Sequence, residues 1–257
     1  MREREARLTT LEIKNLSKHF GGLHVSNDIS MSIKKGEIAA IIGPNGAGKT
    51  TLFNQITGYI SPDNGKIFYK GEEITGSNPE KLVKTGIVRA FQVASLFYDE
   101  TVYNNLHLAA LSYHGKNWNF FSNRHASRDI EDHCRFILER LGLSKKAEVK
   151  AFELSHGDQK VLDIAIALTM KPTLLLLDEP TAGMSPDERV KMTRLIKAIH
   201  EEFELTTLFV EHDMDMVFGI ADIIRVLVRG ELIAEGNAAD IQNNPAVIEA
   251  YLGYEVL

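Results

Sequence analysis

The sequence predicts an α/β fold with a parallel sheet, an antiparallel β subdomain and a helical subdomain. Three observations carry this reading. Apolar residues alternate near the N-terminus, helical spacing dominates the middle of the chain, and helices alternate with short, wholly apolar strands after Ser155.

From Leu11 to Ile33 the alternation (Leu11, Ile13; then Ile29, Met31, Ile33) has the period of half-buried strands, and Gly21-Gly22 marks the turn between them. Ile38 to Ile42 is apolar throughout, as suits a strand covered on both faces, and a glycine-rich turn and a helix follow it. Asn64 to Lys70 reads as a further strand, closed by Gly71. Between about Val93 and Glu153 the spacing is helical (Ile130, Cys134, Ile137, Leu138, Leu141), interrupted by the polar, aromatic stretch His114 to Asn123. Helix Ser155 to Met170, strand Thr173 to Leu177, helix Pro186 to Glu202 and strand Thr206 to Val210 come next. Ile223 to Val228 and Glu231 to Ala234 flank Arg229-Gly230 as a hairpin, and Pro245 opens a last helix ending near Gly253. Residues 1–257 read as one domain, with 93–153 as a helical subdomain and about 235–257 as a C-terminal helical extension.

Composition narrows the class. With 257 residues, 44% of them apolar and 25% charged, the chain can bury a full core and is neither disordered nor fibrous. A formal charge of −6 argues against broad attachment to nucleic acid or anionic lipid, so no nucleic-acid partner is expected. Cys134 stands alone, which rules out an internal disulfide and points to a reducing compartment. Met1 to Arg7 carries both charge signs and leads into no apolar run, unlike a secretory signal. Val161 to Leu177, the most apolar stretch, is broken by Asp163, Lys171 and Pro172 and cannot span a bilayer.

Gly43-Pro44-Asn45-Gly46-Ala47-Gly48-Lys49-Thr50 fits G-x-x-x-x-G-K-[ST], and it lies between an apolar strand and a helix, where that motif belongs. Glycines let the backbone wrap a phosphate with its N–H groups pointing inward at the positive end of a helix. Lys49 adds a charge at the β- and γ-phosphates, Thr50 offers a hydroxyl to Mg²⁺, and Thr51 is near enough to reach a phosphate. The predicted ligands are ATP and Mg²⁺.

Leu174 to Leu177 delivers Asp178 and Glu179 to the carboxyl end of a buried strand, where open α/β sheets bind ligands. Alone, such a pair reads as a solvated loop. With the cradle upstream, Asp178 is expected to hold the metal, usually through water, and Glu179 to polarise the water that attacks the γ-phosphate.

Leu154-Ser155-His156-Gly157-Asp158-Gln159 precedes a helix about twenty residues before the carboxylates and resembles the L-S-G-G-Q signature of the ABC ATPases. Further landmarks occur in order: Phe20 at the adenine-stacking position, Gln92 in Ala90-Phe-Gln92 at the Q-loop, Ser185-Pro-Asp187 at the D-loop, and His212 in Glu211-His-Asp at the switch histidine. The signature departs from the usual form, because His156 replaces a glycine and Asp158 the glutamine. Ser155 and Asp158 fit a helix capping box, and Asp158 is expected to turn back onto its own backbone. The x-G-D-Q form, Gly86-Ile-Val-Arg-Ala-Phe-Gln92 and the ending Tyr251-Leu-Gly253 are similar to the ATPase subunits of branched-chain amino acid importers.

The resemblance implies a head-to-tail dimer, with an identical chain or a paralogue. Each ATP would lie between one cradle and the partner's Ser155, His156, Gly157 and Asp158, with Asp187 nearby. It also implies catalytic roles for Glu179, His212 and Lys49, and a place for Gln92 beside Thr50 and Asp178 at the metal. The helical subdomain would dock a membrane permease served indirectly by a solute-binding protein, placing the chain at the cytoplasmic side of a membrane. A soluble ABC ATPase for iron–sulfur assembly or lipid export would share every catalytic residue and is the second reading.

Overall fold

The computed structural model describes residues 9–90, 96–115 and 124–252. Strands β1 (Thr9–Phe20) and β2 (Leu23–Lys34) pair antiparallel across Gly21-Gly22. Strand β4 (Asn64–Tyr69) lies on the other side of β1, and β5 (Glu72–Glu73) completes a four-stranded sheet in the order β2-β1-β4-β5.

The second sheet has six strands in the order β10-β9-β3-β8-β7-β6. They are β3 (Ile38–Ile42), β6 (Ile87–Ala90), β7 (Leu174–Asp178), β8 (Thr206–Val210), β9 (Ile223–Val228) and β10 (Glu231–Gly236). From β9 to β6 all neighbours are parallel, and only the edge strand β10 runs antiparallel.

The apolar runs of β3 and β7 follow from their position between two cores. Ala39, Ile41, Leu174 and Leu176 pack against Leu11, Ile13 and Ile29 of the antiparallel sheet. Ile38, Ala40, Ile42, Leu175 and Leu177 face the helices. Neither strand has a solvent face, so the period-two pattern is lost. Each leucine buried this way contributes about 1.5–3 kcal/mol.

The helices are α1 (Lys49–Ile56), α2 (Pro79–Thr85), α3 (Val102–Tyr113), α4 (Arg124–Arg140), α5 (His156–Thr169), α6 (Pro186–Glu202), α7 (Met214–Ile220), α8 (Ala238–Gln242) and α9 (Pro245–Leu252). Short 3-10 turns occupy Ser144–Lys146 and Ala151–Glu153. Helices α3 and α4 bury Val102, Leu106, Ile130, Cys134 and Ile137 in the same core that covers one face of the parallel sheet. Helices α2 and α7 have no counterpart in the sequence pattern, whereas α8 falls inside the C-terminal helical extension expected at about 235–257. With seven, seven and five residues all three are too short to show a period, and each is started by a side-chain cap, from Asn78, Asp213 and Asn237. Among the described residues no helix is long and apolar enough to cross a membrane.

Candidate functional site

Strand β3 runs into the glycine turn in the centre of the parallel sheet. A Cβ at Gly43 would lie 2.0 Å from the Leu227 carbonyl oxygen, and one at Gly48 2.3 Å from that of Val25. The loop therefore rests directly on the backbones of β9 and β2, and only glycine fits at these two contacts. Gly48 is the N-cap of α1 and supplies no side-chain cap, so the first N–H groups of the helix remain available to an anion. Asn45, Gly46 and Thr50 are exposed, Pro44 and Thr51 are half-buried, and Ala47 is buried.

Lys49 is 6% exposed, and its Nζ donates to the Gly43 and Pro44 carbonyls at 2.7 and 2.9 Å. Burial pushes its pKa down, while the charges of Glu179 and Asp178 act in the opposite direction. The lysine thus belongs electrostatically to the carboxylate pair as well as to the loop.

Asp178 is the last residue of β7 rather than the first of the loop after it, and it is buried. Arg89 of the neighbouring strand β6 forms an ion pair with its Oδ2, and Arg89 Nη1 also donates to Asn54 Oδ1 at 2.6 Å. Asp178 Oδ1 is buried without a hydrogen-bond partner. One unengaged carboxylate oxygen, with the exposed Thr50 hydroxyl, fits a hard cation that takes few protein ligands and completes its shell from phosphates and water. Consistent with so sparse a ligand set, no group of three or more His, Cys, Asp or Glu side chains is gathered for a metal among the described residues.

Glu179 has a left-handed backbone (φ 49°), an uncommon conformation for a residue with a side chain. Its N–H donates to Val210 O at 3.0 Å, and its Oε1 lies 3.1 Å from His212 Nε2. The buried Glu211 joins the loops that follow β7 and β8. Its Oε1 accepts from the Thr181 N–H at 2.7 Å, and its Oε2 from the His212 and Asp213 N–H groups at 2.7 and 3.2 Å.

Phe20 ends β1 half exposed, with Lys18 Nζ 5.6 Å from its ring centre, so it is a surface ring rather than a core side chain. Ser155 is the N-cap of α5: its Oγ accepts from the Asp158 N–H at 3.2 Å and donates to Asp158 Oδ2 at 2.7 Å. The carboxylate does not turn onto its own backbone as expected, because Lys146 also ion-pairs with Oδ2 and gives it a stronger, charged partner. His156 Nε2 is 3.2 Å from the Ala182 carbonyl, and a Cβ at Gly157 would lie 3.2 Å from Glu188 Oε1. The signature segment therefore packs on the loop that leads to α6, where Asp187 is exposed in the first turn. Among the described residues no hydrogen bond or ion pair links Ser155 to Asp158 with the cradle of the same chain. Gln92 lies in 91–95, outside the described residues.

The sequence reading missed Arg89, Glu211 and Lys146. Arg89 and Glu211 had a signal, since each is a charge embedded in or directly following a strand that is otherwise buried. Lys146 had none.

An uncapped helix end open to an anion, with a nearby acid held against a histidine, is the arrangement of a P-loop ATPase, and this chain is one. Its relatives define the kind. The ABC transporter family matches residues 26–182, and the branched-chain amino acid ATP-binding cassette transporter family matches residues 231–256. The chain is 38% identical over 250 residues to the high-affinity branched-chain amino acid transport ATP-binding protein LivG of Salmonella typhimurium, covering 95% of this chain and 97% of that protein. It is equally similar to BraF of Pseudomonas aeruginosa, at 38% over 250 residues with the same coverage. Among solved structures it resembles the ADP conformation of an ATP-binding cassette of an ABC transporter, with a TM-score of 0.85 and 32% identity over 96% of this chain and 99% of that one. A nucleotide-free ATP-binding cassette from an ABC transporter gives a TM-score of 0.84 at 32% identity, over 95% and 99% of the two chains. The chain belongs to the ABC transporter family, as an ATP-binding subunit that hydrolyses ATP.

Proposed function

We propose that the chain powers uptake of branched-chain or related amino acids through a membrane permease, working as one half of an ATPase dimer. The observation that carries this reading is the match of residues 231–256 to the branched-chain cassette family, a segment separate from the general ATPase match at 26–182. Identity of 38% to LivG along 95% of the chain supports it, and nothing among those relatives favours iron–sulfur assembly or lipid export.

In this reading Gly43 to Thr51 and Lys49 hold the phosphates, and the exposed ring of Phe20 takes the adenine, worth about 1–3 kcal/mol by stacking. Thr50 and Asp178, with Gln92, would hold Mg²⁺, which would offset charge on the β- and γ-phosphates. Glu179, which follows β7 with a left-handed backbone, accepts a proton from the attacking water. His212 keeps that carboxylate in place by its contact with Glu179 Oε1, and it would contact the γ-phosphate. Ser155, His156, Gly157 and Asp158 serve the nucleotide of the second subunit, and Asp187 lies beside that contact. A dimer is supported by a related cassette, 26% identical with a TM-score of 0.73 over 88% of this chain and 98% of that one, described as dimeric in a post-hydrolysis state bound to ADP and Pi.

Residues 93–153 serve as the helical subdomain against the permease, and about 235–257 as a C-terminal extension. The chain then sits peripherally on the cytoplasmic face of the membrane, with a solute-binding protein as an indirect partner. The test is to reconstitute the chain with its permeases and add candidate solute-binding proteins. ATP turnover should rise with the one loaded with a branched-chain amino acid. A response only to an unrelated solute would overturn the substrate assignment.

A further inference from the structure

The L-S-G-G-Q form ends its helix cap with neutral residues, whereas here Asp158 brings a carboxylate to the same place. Its geometry shows what that charge is doing. Asp158 Oδ2 accepts the Ser155 hydroxyl proton at 2.7 Å and lies at the N-terminal end of α5, a helix of 14 residues. It thus takes the position and the proton that an incoming phosphate oxygen would need.

The same oxygen is paired with Lys146, from the 3-10 turn Ser144–Lys146 that follows α4. Burial pushes the Asp158 carboxyl up, but the hydrogen bonds from Lys146 and Ser155 outweigh it and hold the group below the usual carboxylate range. The carboxylate is therefore charged. Unless that charge is cancelled and drawn aside, it repels the phosphate that Ser155 is to bind.

We infer that Lys146 is a positioning residue for the ATP site that this segment completes on the second subunit. Its ammonium holds Asp158 to one side and neutralises it, so that Ser155 can turn its proton from Asp158 to the γ-phosphate. Lys146 comes from outside α5, so the cap is set by the packing of the turn after α4 as well as by the signature itself. The inference rests on the dimer proposed above.

The test uses the full chain carrying Glu179→Gln, chosen to slow hydrolysis if Glu179 is the base proposed above, and reads the ATP concentration for half-maximal dimerisation by light scattering. Lys146→Met should raise that concentration about tenfold at low salt, because an unpaired like charge then faces the phosphate. Lys146→Arg should stay near the parent, and adding Asp158→Asn to Lys146→Met should restore it. The deficit of Lys146→Met should also shrink at about 1 M salt, where charges are screened within about 3 Å. A merely structural lysine would show neither charge-specific rescue nor salt dependence. An unchanged midpoint in Lys146→Met, or a deficit that persists in the double variant, overturns the inference while leaving the dimer intact. A parent that stays monomeric at every ATP concentration overturns the dimer reading, and the inference falls with it.

Discussion

His212 Nε2 lies 3.1 Å from Glu179 Oε1, although 33 positions separate them in the chain. Strands β7 and β8 are parallel neighbours with Asp178 opposite Val210, so the residues just past each strand meet at the same edge of the sheet. If Glu179 is the base, Glu179→Gln should lower ATP turnover about 100- to 10,000-fold with ATP binding retained. His212→Ala should lower turnover too, and the double variant should be far less impaired than the product of the two, because the pair acts as a unit. Phosphate-release kinetics with a separate nucleotide-binding assay would decide; full turnover in Glu179→Gln would remove the residue from the chemistry.

Arg89 and Asp178 form a buried ion pair between β6 and β7, with side chains 8% and 1% exposed. Arg89→Met strands the Asp178 charge, which should destabilise the fold by about 3–5 kcal/mol. For a chain of this size that lowers the melting temperature by roughly 10 °C. Arg89→Met combined with Asp178→Asn should recover part of the loss, since the stranded charge is gone. Calorimetry showing Arg89→Met melting with the parent would refute the pairing as a source of stability.

Two glycines of the cradle should respond differently to alanine. At Gly43 the new Cβ would meet the Leu227 carbonyl at 2.0 Å, so the loop must leave β9 and nucleotide binding should be lost. At Gly46 nothing lies within 4 Å, and only the left-handed backbone (φ 78°) is strained, at about 1–2 kcal/mol. Titration with a fluorescent ATP analogue should show abolished binding in Gly43→Ala and weakened binding in Gly46→Ala. Equal affinities would mean that contact with β9 does not shape the cradle.

Asp63 clamps the end of β1 near Phe20, accepting from Lys18 Nζ and the His19 N–H, each at 2.7 Å. The hydrogen bond from Lys18, then that from the His19 backbone, brings its pKa from the ordinary 3.8 down to about 2. The folded state therefore binds fewer protons than the unfolded state. The contribution of Asp63 to stability is complete above pH 3.8 and is lost as pH falls through about 2. Melting curves between about pH 5 and pH 2 should have a flatter acid limb in Asp63→Asn. An unchanged limb would show that another group governs it.

The cradle was legible because its requirements are local: a buried strand, glycines where backbone must approach backbone, and a helix start, all within Ile38 to Ile56. The N-cap at Ser155 and the helix start at Pro186 were legible for the same reason. The short helices α2 and α7 were not, since a cap without a full period gives no pattern to read. At the site, Asp178 turned out to close its strand, because the register with Val210 extends the ladder one residue past the apolar run.

What the sequence alone determined is the class of chemistry and its contiguous parts: the phosphate loop, the acid pair, the signature and the histidine. The tertiary structure alone decided how those parts are partnered: Arg89 on Asp178, Glu211 between two loops, Lys146 on Asp158 and His212 on Glu179. The physical reason is range. Backbone conformation and capping act over a few residues, whereas strand order and the docking of distant turns are set by two cores that draw on the whole chain.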